Sequence, residues 1–263
     1  MRYALGLEYD GTEFCGWQRQ SNSASVQQSV EEALGSVANH VVKVTCAGRT
    51  DTGVHARCQV IHFDSPSKRS RRQWLLGINA NLPVAIRGLW VCRVADDFHA
   101  RFGAYSRAYR YKILNRPVSP AIGYSNLGWC RDVLDTEKMH LAAQALVGKH
   151  DFSAFRSAGC SAQHAIREVT ALDVSRQTDI VVFEITANAF LYHMVRNIVG
   201  SLTQVGRGAE SVDWIAELLQ SRDRRLAGVT AEPQGLCFTR VRYDPKYKLP
   251  ESGQTLSPVL DSE

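Results

Sequence analysis

At 263 residues and 44% hydrophobic content, the chain can bury a full core as one large domain or two small ones. A formal charge of +5 admits a polyanionic partner without requiring one. The seven cysteines stand singly, with no Cys-x-x-Cys pair; this argues against a disulfide framework and a tetrahedral zinc site, and suits reduced thiols in a cytoplasmic protein.

In chain order, residues 2–9 alternate as a first strand, and no apolar segment precedes Glu8 and Asp10, so no secretory signal is expected. Ser25-x-x-Gln28 has the spacing of a capping box, opening a helix whose apolar face is Val26, Val30, Leu34 and Val37. Two β-type runs, 41–46 and 58–63, bracket a short loop. A basic segment then leads to a short helix over 73–78 and a strand over 88–94. This β-α-β-β-α-β order is the signature of a ferredoxin-like unit.

The second half repeats the theme. A strand over 105–114 precedes a Pro-, Gly- and Ser-rich loop over 115–128, and a helix over 136–147 begins after the capping residue Asp135. Strands over 168–175 and 180–187 are joined by a polar turn; helices over 190–205 and 212–220 and a strand over 236–243 follow. The most apolar stretch, 180–205, is interrupted by Glu184, Asn188, His193, Arg196 and Asn197, which a membrane span rarely tolerates. The chain reads as α+β and soluble, with two similar halves.

The loop Ala47-Gly48-Arg49-Thr50-Asp51-Thr52-Gly53-Val54-His55-Ala56 concentrates a carboxylate, a guanidinium, an imidazole and two glycines. Such loops on a rigid sheet often carry function, whereas the plainer alternative is a tight turn with a local Arg49–Asp51 pair. Asp51 and His55 alone are weak evidence for a metal, and His55 reads as a structural hydrogen-bonding residue. Tyr109 shares a strand face with Arg107 and Tyr111, suiting either base stacking or half-buried packing. Arg196 stands among Met194, Val195, Ile198 and Val199, and either faces solvent or has a buried partner. Lys68-Arg69-Ser70-Arg71-Arg72 and Arg222-Asp223-Arg224-Arg225 are solvated helix ends or phosphate contacts.

The Asp51 loop resembles the catalytic loop of the tRNA pseudouridine synthase A family. Asp10-Gly11, Gly16-Trp17-Gln18-Arg19-Gln20, Asn79-Ala80-Asn81-Leu82-Pro83, Phe98-His99-Ala100-Arg101-Phe102, Tyr109-Arg110-Tyr111, Gly148-Lys149-His150-Asp151-Phe152 and the segment Asn188-Ala189-Phe190-Leu191-Tyr192-His193-Met194-Val195-Arg196-Asn197 resemble family segments in the same order. The resemblance implies two ferredoxin-like halves, 1–103 and 104–245, sharing a mixed, largely antiparallel central sheet with an active-site cleft between them, and a tail over 246–263.

It also implies a cofactor-free, metal-free enzyme that isomerises uridine to pseudouridine at positions 38, 39 and 40 of the tRNA anticodon stem-loop. The chemistry breaks the N1–C1′ bond, turns the uracil and rejoins it through C5. Asp51 is the implied nucleophile, with attack at C1′ or at C6 both open. Arg196 is implied as its ion partner, Tyr109 as the residue stacking on the target uracil, and Arg49 as the group that fills the vacated place of the flipped base. A homodimer whose two subunits touch one tRNA is implied. Two rivals stand beside this: a non-catalytic RNA-binding or RNA-folding protein on the same scaffold, and a hydrolase using Asp51 and His55.

Overall fold

The computed structural model describes residues 1–250. Of the tail expected over 246–263, residues 251–263 therefore lie outside the described residues. The chain forms two compact units: Met1–Tyr105 with the segment from Phe238 onward, and Ser106–Cys237.

The first unit contains β1 (Arg2–Tyr9), α1 (Val26–Ala38), β2 (Val44–Cys46), β3 (His55–Asp64), α2 (Arg71–Asn81) and β4 (Ile86–Val94). β1 lies between β3 and β4, antiparallel to both, with Leu5 opposite Ile61 on one side and Val91 on the other. Leu5 and Leu7 are completely buried, as are Val26, Val30 and Leu34 of α1 and Trp74 and Ile78 of α2. Burying side chains of this size removes about 2 kcal/mol of exposure cost each, which is why the alternating and helical apolar patterns specify these elements.

The capping chemistry differs from the sequence expectation. Ser25 Oγ accepts the Gln28 N–H at 3.3 Å, but the Gln28 side chain turns to Glu32 at 2.9 Å. The reciprocal box forms at α2 instead: Ser70 Oγ accepts the Gln73 N–H at 3.2 Å, and Gln73 Oε1 accepts the Ser70 N–H at 2.9 Å. That pair starts α2 at Arg71, ahead of the expected residue 73. The 41–46 run is also shorter than expected, since only Val44–Cys46 pairs with β3, while β3 begins already at His55. The loop between them is accordingly 47–54.

The second unit contains β5 (Ser106–Asn115), β6 (Gly128–Cys130), α3 (Thr136–Ala143), β7 (Gly148–Asp151), β8 (Ile166–Gln177), β9 (Ile180–Ala187), α4 (Met194–Gly206) and α5 (Trp214–Ser221). Its strands run in the order β5-β9-β8-β7, all antiparallel, with β6 parallel to β5. Asp135 caps α3 by accepting the Lys138 N–H at 3.1 Å. α4 starts at Met194 because His193 adopts a left-handed φ of 60°, so 190–193 form an irregular approach to the helix. The last strand, β10 (Leu236–Arg242), straddles the boundary and completes the order β4-β1-β3-β10 in the first unit.

The α+β class read from the sequence is the class observed. Among the described residues no helix is long and apolar enough to cross a membrane, and no group of three or more His, Cys, Asp or Glu side chains is placed to hold a metal.

Candidate active site

Asp51 is half-buried on the loop 47–54 between β2 and β3. Ala47 N–H donates to Val60 O at 2.8 Å, and the turn closes with Val54 N–H on Asp51 O at 3.1 Å. A second segment, residues 10–17 between β1 and α1, grips this loop through two backbone bonds and one to the His55 ring. Trp17 N–H donates to Thr50 O at 3.0 Å, Gly53 N–H to Phe14 O at 3.3 Å, and Gly11 N–H to His55 Nδ1 at 3.0 Å. The grip needs glycine: Gly16 has φ +85°, and a Cβ there would lie 2.7 Å from Thr50 O, while one on Gly11 would run into Val54 O.

Beneath the loop, Tyr9 and Thr50 hydroxyls hydrogen-bond at 2.8 Å, and buried Gln59 donates from Nε2 to Gly48 O at 2.7 Å. Asp51 thus stands on a backbone fixed from beside and below, the condition for holding a reactive carboxylate in one geometry. His55 fits the structural role expected of it: its Nδ1 lies 3.0 Å from the Gly11 N–H nitrogen and 3.1 Å from Asp10 Oδ1, tying β3 to the 10–17 segment. Arg49, two residues before Asp51, is exposed. It lies close enough to Cys46 to pull down on that thiol, as does Arg101, yet burial dominates and pushes the thiol up to about 12. Cys46 is therefore a neutral core residue.

In the second unit, Tyr109 is buried on β5 opposite Ile185, its ring edge-on to Phe190 with centroids 4.9 Å apart. Arg107 on the same face is buried and donates to Asn188 O at 2.7 Å, and Arg110 on the other face pairs with Glu184 at 2.6 Å. Tyr111 donates its hydroxyl to Glu232 O at 2.8 Å; burial raises its pKa, with Arg196 pulling the other way. Arg196 is half-buried on the first turns of α4, not turned to solvent, and donates from Nε to Ala231 O at 2.7 Å. Arg49 and Asp51 thus share one loop of the first unit, and Tyr109 and Arg196 belong to the second.

The two basic clusters separate. Lys68, Arg71 and Arg72 are exposed around the start of α2. Arg222 approaches Asp151 at 3.5 Å, Arg224 donates to Asn197 Oδ1 at 3.0 Å and Thr230 Oγ1 at 2.9 Å, and Arg225 pairs with Asp223 at 2.6 Å. The second cluster is engaged with the protein. Sequence reasoning did not identify Tyr9, Gln59 or the 10–17 segment as supports of the Asp51 loop. The available signal was the pair of glycines at 11 and 16, since two of the three gripping bonds are backbone to backbone and nearly independent of residue type.

The family model of tRNA pseudouridine synthase matches residues 7–103 and 142–244. Over 251 residues the chain is 55% identical to tRNA pseudouridine synthase A of Stenotrophomonas maltophilia strain K279a, covering 95% of this chain and 98% of that protein. The same-named proteins of Xanthomonas euvesicatoria pv. vesicatoria strain 85-10 and Xylella fastidiosa strain M23 are 55% and 53% identical, again over 95% of this chain and 98% of theirs. Similarity this high across nearly the full length of both partners means that the chain belongs to the tRNA pseudouridine synthase family.

Proposed function

We propose that the protein isomerises uridine to pseudouridine in tRNA, at positions 38, 39 and 40 of the anticodon stem-loop, with Asp51 as the nucleophile. The observation that carries this is the full-length similarity to proteins named tRNA pseudouridine synthase A, with Asp51 standing on the pinned loop 47–54. Isomerisation conserves atoms and electrons: the N1–C1′ bond breaks, the uracil turns, a C5–C1′ bond forms, the C5 proton is released to solvent and N1 takes up one in its place. An ionised carboxylate can mediate this by adding to C1′ or to C6 and departing again.

In this proposal Tyr109 stacks on the uracil, with its hydroxyl available for the C5 proton, Arg196 keeps Asp51 ionised, and Arg49 fills the place of the flipped base. The two chain halves act together as one enzyme, as a homodimer in the cytoplasm, without metal or small-molecule cofactor.

The test is tritium release from tRNA carrying C5-tritiated uridine, with wild type, Asp51→Ala, and a chelator control. Release that requires Asp51 and is indifferent to chelator is the expected result. A folded protein that binds unmodified tRNA and releases no tritium overturns the assignment in favour of an RNA-binding role, and chelator-sensitive turnover overturns the metal-free mechanism.

A further inference from the structure

In the basic run Arg222-Asp223-Arg224-Arg225, the first and last arginines end on carboxylates, Asp151 and Asp223. Arg224 does not. Among the described residues the half-buried guanidinium donates to three neutral oxygens: Ala227 O at 3.3 Å, Asn197 Oδ1 at 3.0 Å and Thr230 Oγ1 at 2.9 Å. Burial lowers its pKa. Holding a cation this way costs desolvation that an ion pair would offset, so its place in the fold calls for an account other than charge pairing.

Two of its acceptors lie beside residues that hold Arg196. Asn197 is completely buried on the first turn of α4, directly after Arg196. Its amide is engaged on both sides: Nδ2 donates to Phe155 O at 2.9 Å and Ser157 Oγ at 3.2 Å, while Oδ1 accepts from Arg224 and from the Thr230 hydroxyl, the latter at 2.7 Å. Thr230 directly precedes Ala231, and Ala231 and Arg196 exchange two bonds. Ala231 N–H donates to Arg196 O at 3.1 Å, and Arg196 Nε donates to Ala231 O at 2.7 Å. Two consecutive residues of one segment are thus tied to two consecutive residues of α4, and Arg224 clamps the junction. The same segment presses on the helix one turn further along, where Gly228 N–H donates to Ser201 Oγ at 3.0 Å and a Cβ on Gly200 would run into Val229 O.

A guanidinium is planar, so a short bond at Nε limits the roll of the plane and aims the Nη groups. The direction of Arg196 therefore depends on where Ala231 O is held. Residues 227–232 belong to no helix or strand, and these bonds to α4 fix their course. The fork of an arginine reaches Ala227, Asn197 and Thr230 together, which the single nitrogen of a lysine cannot do in the same plane.

We propose that Arg224 is a positioning residue for the isomerisation: by joining Asn197 of α4 to Thr230, it holds Ala231 O where that carbonyl orients the Arg196 guanidinium. The proposal rests on the reading of Arg196 as the group that keeps Asp51 ionised, and it gives Arg224 a role that needs no contact with RNA or with the reacting atoms.

The experiment uses the full chain with an unmodified tRNA transcript carrying C5-tritiated uridine. Single-turnover tritium release at saturating enzyme, equilibrium tRNA affinity and thermal midpoint are measured for wild type, Arg224→Gln, Thr230→Val, Arg196→Lys, and Arg196→Lys combined with each of the other two. Activity is read well below every midpoint. Arg224→Gln is expected to slow release roughly 10- to 100-fold, as loss of bonds from a charged donor does, with affinity within about 2-fold of wild type. Thr230→Val, which keeps the Arg224 charge, is expected to slow release by about 5- to 10-fold. Arg196→Lys lacks the Nε that Ala231 O receives, so in that background Arg224→Gln should slow release by less than about 2-fold more. Wild-type release in Arg224→Gln overturns the proposal. An undiminished effect in the Arg196→Lys background does so too, since Arg224 then acts on the fold at large and not through Arg196. A fall in affinity as large as the fall in release also overturns it, because Arg224 then contacts RNA. Should Arg224→Gln fail to fold, Thr230→Val alone and with Arg196→Lys decide the question by the same criteria. Failure of the underlying reading is separately visible, as absent release from wild type or unimpaired release in Arg196→Lys.

Discussion

Trp17 and Thr50 are joined main chain to main chain, 3.0 Å from nitrogen to oxygen, and the carbonyl that receives this bond belongs to the residue just before Asp51. Gly16 approaches the same carbonyl with a positive φ. Gly16→Ala is expected to destabilise the fold by about 1–3 kcal/mol, since an L side chain adds strain at that φ and must push Thr50 aside. The displacement falls on Asp51, so single-turnover tritium release should drop by more than tRNA affinity does. Urea denaturation and the two activity measurements check this; unchanged stability together with unchanged turnover would refute the grip.

Tyr109→Phe keeps the edge-on contact with Phe190 and the buried place on β5. RNA affinity should therefore persist while tritium release falls. Parallel loss of affinity and turnover would show that the hydroxyl serves binding, not proton removal.

His62 is a buried imidazole whose pKa is depressed to about 4, first by burial and then by repulsion from His99 and Arg2, with Asp64 opposing. In the unfolded chain it titrates near its ordinary value of about 6.5. The depressed folded value means that its stabilisation is complete above about pH 6.5 and is lost as pH falls toward 4, by about 1.4 kcal/mol per pH unit and about 3 kcal/mol in all. Denaturation midpoints measured between pH 7 and pH 4 should slope downward, and His62→Gln should flatten the slope. Some slope remains because the pKa of His99 is lowered in the same direction, by burial foremost. An equally steep profile in His62→Gln would remove His62 as the cause.

Tight binding of tRNA should weaken with salt in proportion to the phosphates contacted. Arg72 is exposed at the start of α2, whereas Arg225 pairs with Asp223 at 2.6 Å. Arg72→Ala is expected to reduce the slope of log affinity against log salt by about 1, and Arg225→Ala to leave it unchanged. The opposite ranking would move the RNA track to the 222–225 cluster.

The elements most legible in the sequence were those whose own side chains alternate between core and solvent. β9 follows its periodicity closely, with Val181, Phe183 and Ile185 all buried, and β10 keeps it at Leu236 and Phe238. β6 and β7 span three and four residues, too few for any period to register. α2 was recognised late because its first turn is arginine, and only the Ser70–Gln73 exchange reveals that the helix has begun. At the site, Asp51 and Arg49 were visible as a dense polar loop. The grip of 10–17 was invisible, since amide-to-carbonyl bonds leave no mark on composition beyond the glycines that permit them.

The first unit is assembled from both ends of the chain, with β10 lying beside β3 and Tyr243 bound to Ala100. During synthesis, a ribosome that has released residues 1–105 has produced the Asp51 loop but not the strand that flanks β3. Until residue 242 emerges, the edge of β3 away from β1 is covered only where β2 pairs with Ile61–Phe63, and the remainder is open to capture by other strands. Completion of the unit that carries Asp51 therefore waits on residue 242, so that a ribosome stalling between the two leaves a fragment that contains Asp51 yet lacks the finished sheet behind it.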